Sequence, residues 1–362
     1  MNEAGDCDVF VIAEAGVNHN GSLALALELV DAAAEAGADA VKFQTFDADA
    51  LVSRDAPKAE YQRRAGDAVE TQWEMLRRLE LTRGAHAALH QRCAALGIEF
   101  MSTPFDLGSL DFLVRECNLR RIKLGSGEVT NAPLLFAAGR SGRPVILSTG
   151  MSTLAEVEDA VAVLAAGAFA PTEPQSLAEC CRLLDAAALR ALRGRVTLLH
   201  CTTDYPAAAE SLNLRAISTL AAQFGLDVGL SDHSLGRDVA VAAVALGARV
   251  IEKHFTLDRT MEGPDHAASL EPAEFADLVR AVRTVGASLG DGVKRPAPAE
   301  VKNTAVARRS LVAARPIAAG EPLGPANLLA KRPGTGLSPM LYFDLCGTPA
   351  ARSFAVDEAI ER

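Results

Sequence analysis

A (β/α)8 TIM barrel followed by a small β-rich module is the fold this sequence predicts. Three observations predict it. Short apolar runs of strand length recur eight times between Val9 and Glu252. Most of these runs are followed by an amphipathic stretch with helical period. Beyond Leu289 the texture changes to short runs broken by Gly and Pro.

The strand-like runs are Val9–Ala13, Ala40–Phe43, Glu99–Met101, Arg121–Leu124, Pro144–Leu147, Val196–Leu199, Val228–Leu230 and Val250–Glu252. Near-continuous apolar runs suit parallel strands buried on both faces. A doubly wound sheet gives the same alternation, and the count of eight is what favours the barrel. The clearest helical stretches are Ser22–Ala36, Arg83–Leu96, Thr153–Ala165, Leu212–Phe224, Leu235–Leu246 and Pro272–Leu289. Gly37, Gly97, Gly225 and Gly247 fall where helix C-caps belong. Gly290-Asp291-Gly292 and Pro296-Ala297-Pro298 read as a linker. The expected division is a barrel over 1–289, a linker over 290–302 and a small module over 303–362.

Composition narrows the function classes. The chain has 362 residues, 49% of them hydrophobic, which suffices for a large core. Its formal net charge of -10, with no basic run, argues against nucleic acid or an anionic membrane surface as partner. No apolar stretch has the length of a membrane span. Met1 to Asp8 is polar and acidic, unlike a secretory signal. Seven cysteines without a Cys-x-x-Cys pair read as reduced thiols, which places the chain in a cytoplasm.

The residues at the strand ends carry the chemistry. The first run ends in Glu14, with Asn18-His19-Asn20-Gly21 beyond it. The second carries Lys42 and Gln44, and the third hands over to Thr103 and Phe105. Lys123, Ser126 and Glu128 come on the fourth, and Ser148 on the fifth. The sixth gives Thr203, Asp204 and Tyr205; the seventh and eighth close on His233 and His254. In barrels of this kind the active site lies on the rim at the C-terminal ends of the strands.

Two neutral imidazoles on adjacent strands, with carboxylates nearby, can hold a divalent metal. A histidine at a strand end is otherwise a hydrogen-bonded structural residue. Lys42 and Lys123 are candidate anion binders, because a lysine on a buried strand needs a partner. A structural ion pair with Glu14 or Glu128 is the competing reading. Thr103, Ser126, Ser148 and the glycine-flanked turns add the hydroxyl and N–H donors of a phosphate or carboxylate pocket. Glu14 and Glu128 are acid–base candidates. Asp265 suits hydroxyl binding or an ordinary turn. His19, His200 and His266 read as structural or supporting residues before ligands.

These stretches, in order, resemble the sialic acid synthases, also called N-acetylneuraminate or nonulosonate synthases. The resemblance rests on Ile12–Gly21, Val41-Lys42-Phe43-Gln44, Ser102-Thr103-Pro104-Phe105, Lys123–Glu128, Leu147–Met151, Gly229–His233, Glu252-Lys253-His254-Phe255, Gly263-Pro264-Asp265 and Lys331-Arg332-Pro333-Gly334. The C-terminal segment resembles the antifreeze-like SAF domain that the family appends to its barrel. The resemblance implies condensation of phosphoenolpyruvate with an open-chain N-acylated mannosamine sugar, giving a nine-carbon 2-keto acid and phosphate. It implies that His233 and His254 hold Mn²⁺, or Mg²⁺ or Co²⁺ in its place. Lys42, Thr103, Lys123, Ser126 and Ser148 would bind phosphoenolpyruvate, and Gln44, Thr203, Tyr205 and Asp265 would face the sugar. Glu14 and Glu128 would handle protons and the attacking water, while Phe105 would shield a cationic carbon. Arg332 would arrive from the small domain of a neighbouring subunit in a domain-swapped homodimer.

Thr203-Asp204-Tyr205-Pro206 departs from the His-Cys-Thr-Asn-x-Tyr-Pro pattern frequent in makers of N-acetylneuraminate. It resembles members acting on the 2,4-diacetamido-2,4,6-trideoxymannose that leads to legionaminic acid. The chain also stops soon after Ala359, so the last strand of the small domain is expected to be missing or shortened. Two more distant readings are a 3-deoxy-octulosonate phosphate synthase and a carbohydrate- or ice-binding protein. The Lys331–Gly334 module opposes the first, and eight polar strand ends oppose the second.

Overall fold

The computed structural model describes residues 9–58 and 70–361. The acidic stretch Met1–Asp8 therefore lies outside the described residues. The chain divides into two compact units, Met1–Gly290 and Asp291–Arg362.

The first unit is built on eight parallel strands: β1 (Phe10–Gly16), β2 (Ala40–Thr45), β3 (Glu99–Pro104), β4 (Ile122–Leu124), β5 (Val145–Ser148), β6 (Val196–Cys201), β7 (Asp227–Asp232) and β8 (Val250–His254). The ladder runs β3-β2-β1-β8-β7-β6-β5-β4, so the last strand pairs with the first. That pairing closes the sheet into a TIM-type barrel. β3 and β4 lie side by side without a ladder. There Arg121 makes a two-pronged ion pair with Glu99 (2.8 and 3.1 Å). Its guanidinium also lies 4.3 Å over the Phe10 ring.

Apolar residues alternate between two buried surfaces because successive strand side chains point to opposite faces. Ile12, Ala40, Met101, Ile146, Leu199 and Val250 fill the inside of the barrel. Val11, Ala13, Val41, Phe43, Phe100, Leu147, Leu198 and Ile251 face outwards and pack into the larger core under the helices. Helices start where a side chain caps them. Ser22 caps Leu23–Glu35 and Thr82 caps Arg83–Leu96, while Thr153 and Glu156 form a capping box at the start of Leu154–Phe169. Gly97 and Gly225 close helices in the left-handed conformation, at φ 75° and 61°.

Several expected bounds shift. Six strands run two or more residues further than their apolar runs, because polar rim residues still hold ladder positions. The helix expected at Leu212 starts at Ala216, and that expected at Leu235 starts at Asp238. Helices at Leu107–Arg115, Ala132–Arg140, Gln72–Leu79, Leu177–Leu183 and Ala186–Leu192 are additional.

In the second unit a helix, Pro298–Ala307, occupies the end of the expected linker and runs past its boundary at 303. Pro298 at its first turn has no N–H to lose there, so the Pro-rich stretch starts a helix rather than extending a tether. β9 (Ser310–Ala313) pairs antiparallel with β10 (Leu328–Lys331). Their core contains Leu311, Ile317, Leu323, Leu328, Phe354 and Ile360. Near the C-terminus Ala359 bridges Val312, and the Ile360 amide donates to the Leu311 carbonyl at 2.9 Å.

One position tests the barrel's packing. A Cβ on Gly229 of β7 would run into the Val250 carbonyl oxygen and sit 2.6 Å from Leu199 Cδ2. Gly229→Ala should therefore lower unfolding free energy by about 1–3 kcal/mol. Denaturant unfolding reads this, and a loss within about 0.5 kcal/mol would contradict the close approach.

Candidate active site

The inward face of nearly every strand turns from apolar to polar within two residues. Ile12 gives way to Glu14, Ala40 to Lys42, Met101 to Thr103, Ile146 to Ser148, Leu199 to Cys201 and Val250 to Glu252. The strands of a barrel are staggered, and the register brings Glu14 beside Lys42 on one side and His254 on the other.

Four buried ionisable side chains occupy this level. Glu14 is ion-paired with Lys42. Lys42 Nζ also donates to Thr103 Oγ1 at 3.2 Å and stands 3.7 Å from Glu252 Oε2. Lys123 Nζ lies 3.4 Å from Glu252 Oε1 and donates to the Leu124 carbonyl at 3.1 Å. Ser231 Oγ donates to Glu252 Oε1 at 2.9 Å. None of the four charged residues is more than 5% exposed.

Their environments drive the two glutamates apart. Burial is the largest influence on Glu14 and pushes its carboxyl up to about 7; Lys42 pulls the other way, and the neighbouring Glu252 adds to the rise. Burial also opposes the charge of Glu252, but Lys123 and Lys42 outweigh it and hold that carboxyl at about 2. Burial works against Lys42 too, and Glu14 and Glu252 overcome it, keeping the ammonium charged. On Lys123 burial prevails over Glu252, so its pKa falls. Carboxyls with separated pKa values in one site supply a proton holder and a fixed anion.

The loops add donors around this floor. Gly150 N–H donates to Ser126 Oγ at 2.9 Å, and Ser148 Oγ is buried without a hydrogen-bond partner. Glu128 sits in the 3-10 turn Ser126–Glu128 and accepts from Asn131 Nδ2 at 2.6 Å. Burial raises its pKa despite that bond. Gln44 Nε2 donates to Glu14 Oε1 at 3.4 Å.

The two imidazoles face each other, His233 and His254 centroids being 5.3 Å apart. His233 Nδ1 lies 2.7 Å from the Thr202 carbonyl oxygen. As donor there it leaves a lone pair on Nε2, the arrangement of a metal-ligating imidazole. His254 Nδ1 is buried without a hydrogen-bond partner, 3.8 Å from Asp265 Oδ2. Burial, then His233 and Lys42, hold His254 well below the usual histidine range, so it is neutral. Burial pushes Asp265 up to about 6, against His233 and Lys42. Among the described residues no group of three or more His, Cys, Asp or Glu side chains stands ready to enclose a metal. Two facing imidazoles, His254 neutral and with an orphaned nitrogen, fit a divalent cation that keeps open positions for substrate and water, as a catalytic metal requires.

Tyr205 packs 4.1 Å from the His233 ring and edge-on to His254 at 5.6 Å. Thr203 and Phe105 complete the sequence-derived set. A cavity of about 330 Å³ is lined by every one of those residues that lies in the first unit. Arg332 lies in the second unit, exposed, directly after β10. His19, His200 and His266 are outside the cavity and bond instead to Gly21 N, the Leu212 carbonyl and Thr256 Oγ1. Sequence reasoning missed Glu252, Ser231 and Cys201 as lining residues. The signal was available for two of them: Glu252 precedes His254, and Ser231 precedes His233, by the two-residue strand period.

The raised Glu14 has a measurable sign. A carboxyl whose folded-state pKa exceeds its unfolded value stabilises the fold below the unfolded pKa, and that contribution is lost as pH rises through the folded one. In the metal-free protein, Glu14→Gln should therefore gain stability relative to the parent as pH rises from 4.5 through about 7. A stability difference that is flat across that window would contradict a protonated Glu14.

Comparison with known proteins agrees with this geometry. The chain matches the NeuB family over residues 29–294 and the SAF domain over 308–361. It is 45% identical over 350 residues to the N,N'-diacetyllegionaminic acid synthase of Campylobacter jejuni, covering 97% of this chain and 98% of that one. It is 45% identical over 339 residues to the enzyme of the same name from Legionella pneumophila, covering 94% and 89%. The crystal structure of N-acetylneuraminic acid (sialic acid) synthetase from Leptospira borgpetersenii, in complex with citrate, aligns with a TM-score of 0.66 at 34% identity, covering 82% of this chain and 90% of that chain. This chain belongs to the NeuB family, with its barrel followed by a SAF domain.

Proposed function

We propose that this chain condenses phosphoenolpyruvate with an open-chain N-acetylmannosamine-type sugar, releasing phosphate and forming a nine-carbon 2-keto acid. The observation that carries this reading is the pair of buried lysines, Lys42 and Lys123, beside the orphaned Ser148 hydroxyl in the cavity that also holds the facing imidazoles. Within that class, 2,4-diacetamido-2,4,6-trideoxymannose is the acceptor. The two N,N'-diacetyllegionaminic acid synthases among the relatives and the Asp204 of the Tyr205 loop support it.

Lys42, Lys123, Thr103, Ser126 and Ser148 bind the phosphate and carboxylate of phosphoenolpyruvate. Gln44, Thr203, Tyr205 and Asp265 orient the sugar so that its aldehyde carbon meets carbon 3 of phosphoenolpyruvate. His233 and His254 would hold a divalent cation, Mn²⁺ first, whose contribution when bound is Lewis-acid polarisation of the aldehyde. Carbon 3 forms the new bond to the aldehyde carbon, the aldehyde oxygen takes up a proton, and carbon 2 is left cationic. Glu14, which holds its proton up to about 7, suits the donor role. Water adds to carbon 2 and gives its proton to Glu128. The tetrahedral carbon then expels phosphate by C–O cleavage, and the proton of its hydroxyl passes to the departing phosphate as the C2 ketone forms. Phe105 screens the cationic carbon from bulk water.

The test is a substrate panel of N-acetylmannosamine, its 6-phosphate and the trideoxy sugar, each with phosphoenolpyruvate and Mn²⁺. Phosphate release should require one of the sugars, vanish on chelation and return with Mn²⁺, and His233→Ala with His254→Ala should abolish it. Phosphate release that survives chelation and both substitutions would refute the metal assignment; none with any sugar would refute the synthase reading.

The enzyme works as a domain-swapped homodimer in which the SAF domain of a second copy, through its Arg332, completes the sugar site. A guanidinium suits acyl and hydroxyl oxygens. Mixing the inactive variants Glu128→Gln and Arg332→Ala should restore activity, because one site of a mixed dimer joins an intact barrel to an intact arginine. Stable mixed dimers without activity would refute the exchange.

A further inference from the structure

A buried ion pair stands directly behind the two imidazoles, and the chemistry above does not use it. On β7 and β8 the residues Ser231, His233, Glu252 and His254 face inwards and line the cavity. Asp232 and Lys253 lie between them in sequence. They follow Leu230 and Ile251 by the two-residue strand period, so they point outwards, into the core under the helices. There Lys253 Nζ donates to Asp232 Oδ2 at 2.7 Å and to the Ser234 carbonyl. Neither side chain of the pair has exposed surface. The other carboxylate oxygen, Asp232 Oδ1, accepts from the Ser234 N–H at 2.9 Å and from Ser234 Oγ at 2.7 Å. Asp232 and Ser234 flank His233, so one ammonium and one carboxylate close a turn around that residue.

The place of this clamp in the sheet decides what it can do. β7 ends at Asp232, and Asp232 with Lys253 is the last register pair of its ladder with β8. His233 stands one residue beyond that ladder. His254 is still in register with Glu14 of β1. The Ala207 N–H and the Thr202 carbonyl hold His233 from the side of the sixth strand and its loop. The Lys253 ammonium ties its turn to the strand that carries His254. An ion pair buried this deeply is a poor source of stability, because apolar residues of equal volume fill such a place as well. Four hydrogen bonds among Asp232, Ser234 and Lys253 fix a geometry, which apolar packing does not. We infer that Lys253 and Asp232 are positioning residues, which lock the turn around His233 to β8 and so hold its imidazole opposite that of His254 for a divalent cation. The inference rests on the reading of the two imidazoles as metal ligands. It adds the residues that set their separation, 5.3 Å between ring centroids.

The test is Mn²⁺ affinity, read from the electron paramagnetic resonance signal of free Mn²⁺ in titrations of the full chain. Phosphoenolpyruvate affinity is measured alongside by calorimetry without metal. Lys253→Met combined with Asp232→Asn removes both charges together, so neither is left buried and unpaired. The Mn²⁺ dissociation constant should rise by about 10- to 100-fold, as for the loss of other groups that orient metal ligands. Phosphoenolpyruvate affinity should stay unchanged, because Lys42 and Lys123 are untouched. An unchanged Mn²⁺ affinity, or equal weakening of both ligands, would overturn the clamp. If the double variant does not fold, Ser234→Ala decides. Losing one hydrogen bond of the turn should weaken Mn²⁺ binding by about 2- to 10-fold, and affinity equal to the parent's would overturn the inference. His233→Ala separates the two readings. Mn²⁺ affinity that falls in His233→Ala but not in the clamp variants overturns the clamp and leaves the metal assignment standing. Affinity that His233→Ala does not change overturns both.

Discussion

Two lysines and two glutamates share the inside of an apolar barrel, and the rest of the site is arranged around them. Bringing such charges out of water costs several kcal/mol each unless they are paired and hydrogen-bonded. Here Glu252 sits between Lys42 and Lys123 and is steadied by Ser231, while Glu14 faces Lys42. The mutual pairing explains how the barrel tolerates them. It does not make them a good way to fill a barrel, since a buried ion pair is often no more stabilising than apolar residues of equal volume. A lysine pair kept at that cost suits an anion that replaces part of the pairing when it binds.

The floor also organises what lies above it. Because Glu14 is in register with both Lys42 and His254, the charged level and the imidazole level are joined through one strand, β1. His254 is kept neutral by burial and by the cations beneath it, and His233 has its tautomer set by the Thr202 carbonyl. Leu51, Val52, Leu76 and Phe105, which also line the cavity, belong to a separate small hydrophobic cluster.

Much of this is legible in the sequence, for a physical reason. The barrel strands are buried on both faces, so they read as compact apolar runs, and eight runs specify a barrel. The rim is legible because charged and polar residues directly after an apolar run are conspicuous. Glu252 is not, since it stands inside its strand two residues before His254, where the apolar-run reading counts it as structure. The helices Leu107–Arg115 and Ala132–Arg140 escape such a reading because they are short and their apolar content blurs the period. Pro298 looks like a linker residue, although its position before Ala299-Glu300 marks a helix start. Leu51, Val52 and Leu76 look like ordinary core residues in the sequence, and only the folded chain shows that they also line the cavity.

The central claim is that the buried lysines serve an anionic substrate and are not merely a structural pair. The direct measurement is the affinity of Lys123→Met for phosphoenolpyruvate, with the sugar's KM and the unfolding free energy measured alongside. Losing a charged hydrogen bond to the substrate costs about 1.5–3 kcal/mol. Phosphoenolpyruvate binding should accordingly weaken by about 10- to 100-fold, with the sugar's KM nearly unchanged, while the fold loses some stability because Glu252 keeps only Lys42 as partner. Equal losses for both substrates would show that Lys123 exists to neutralise Glu252 and would contradict the account.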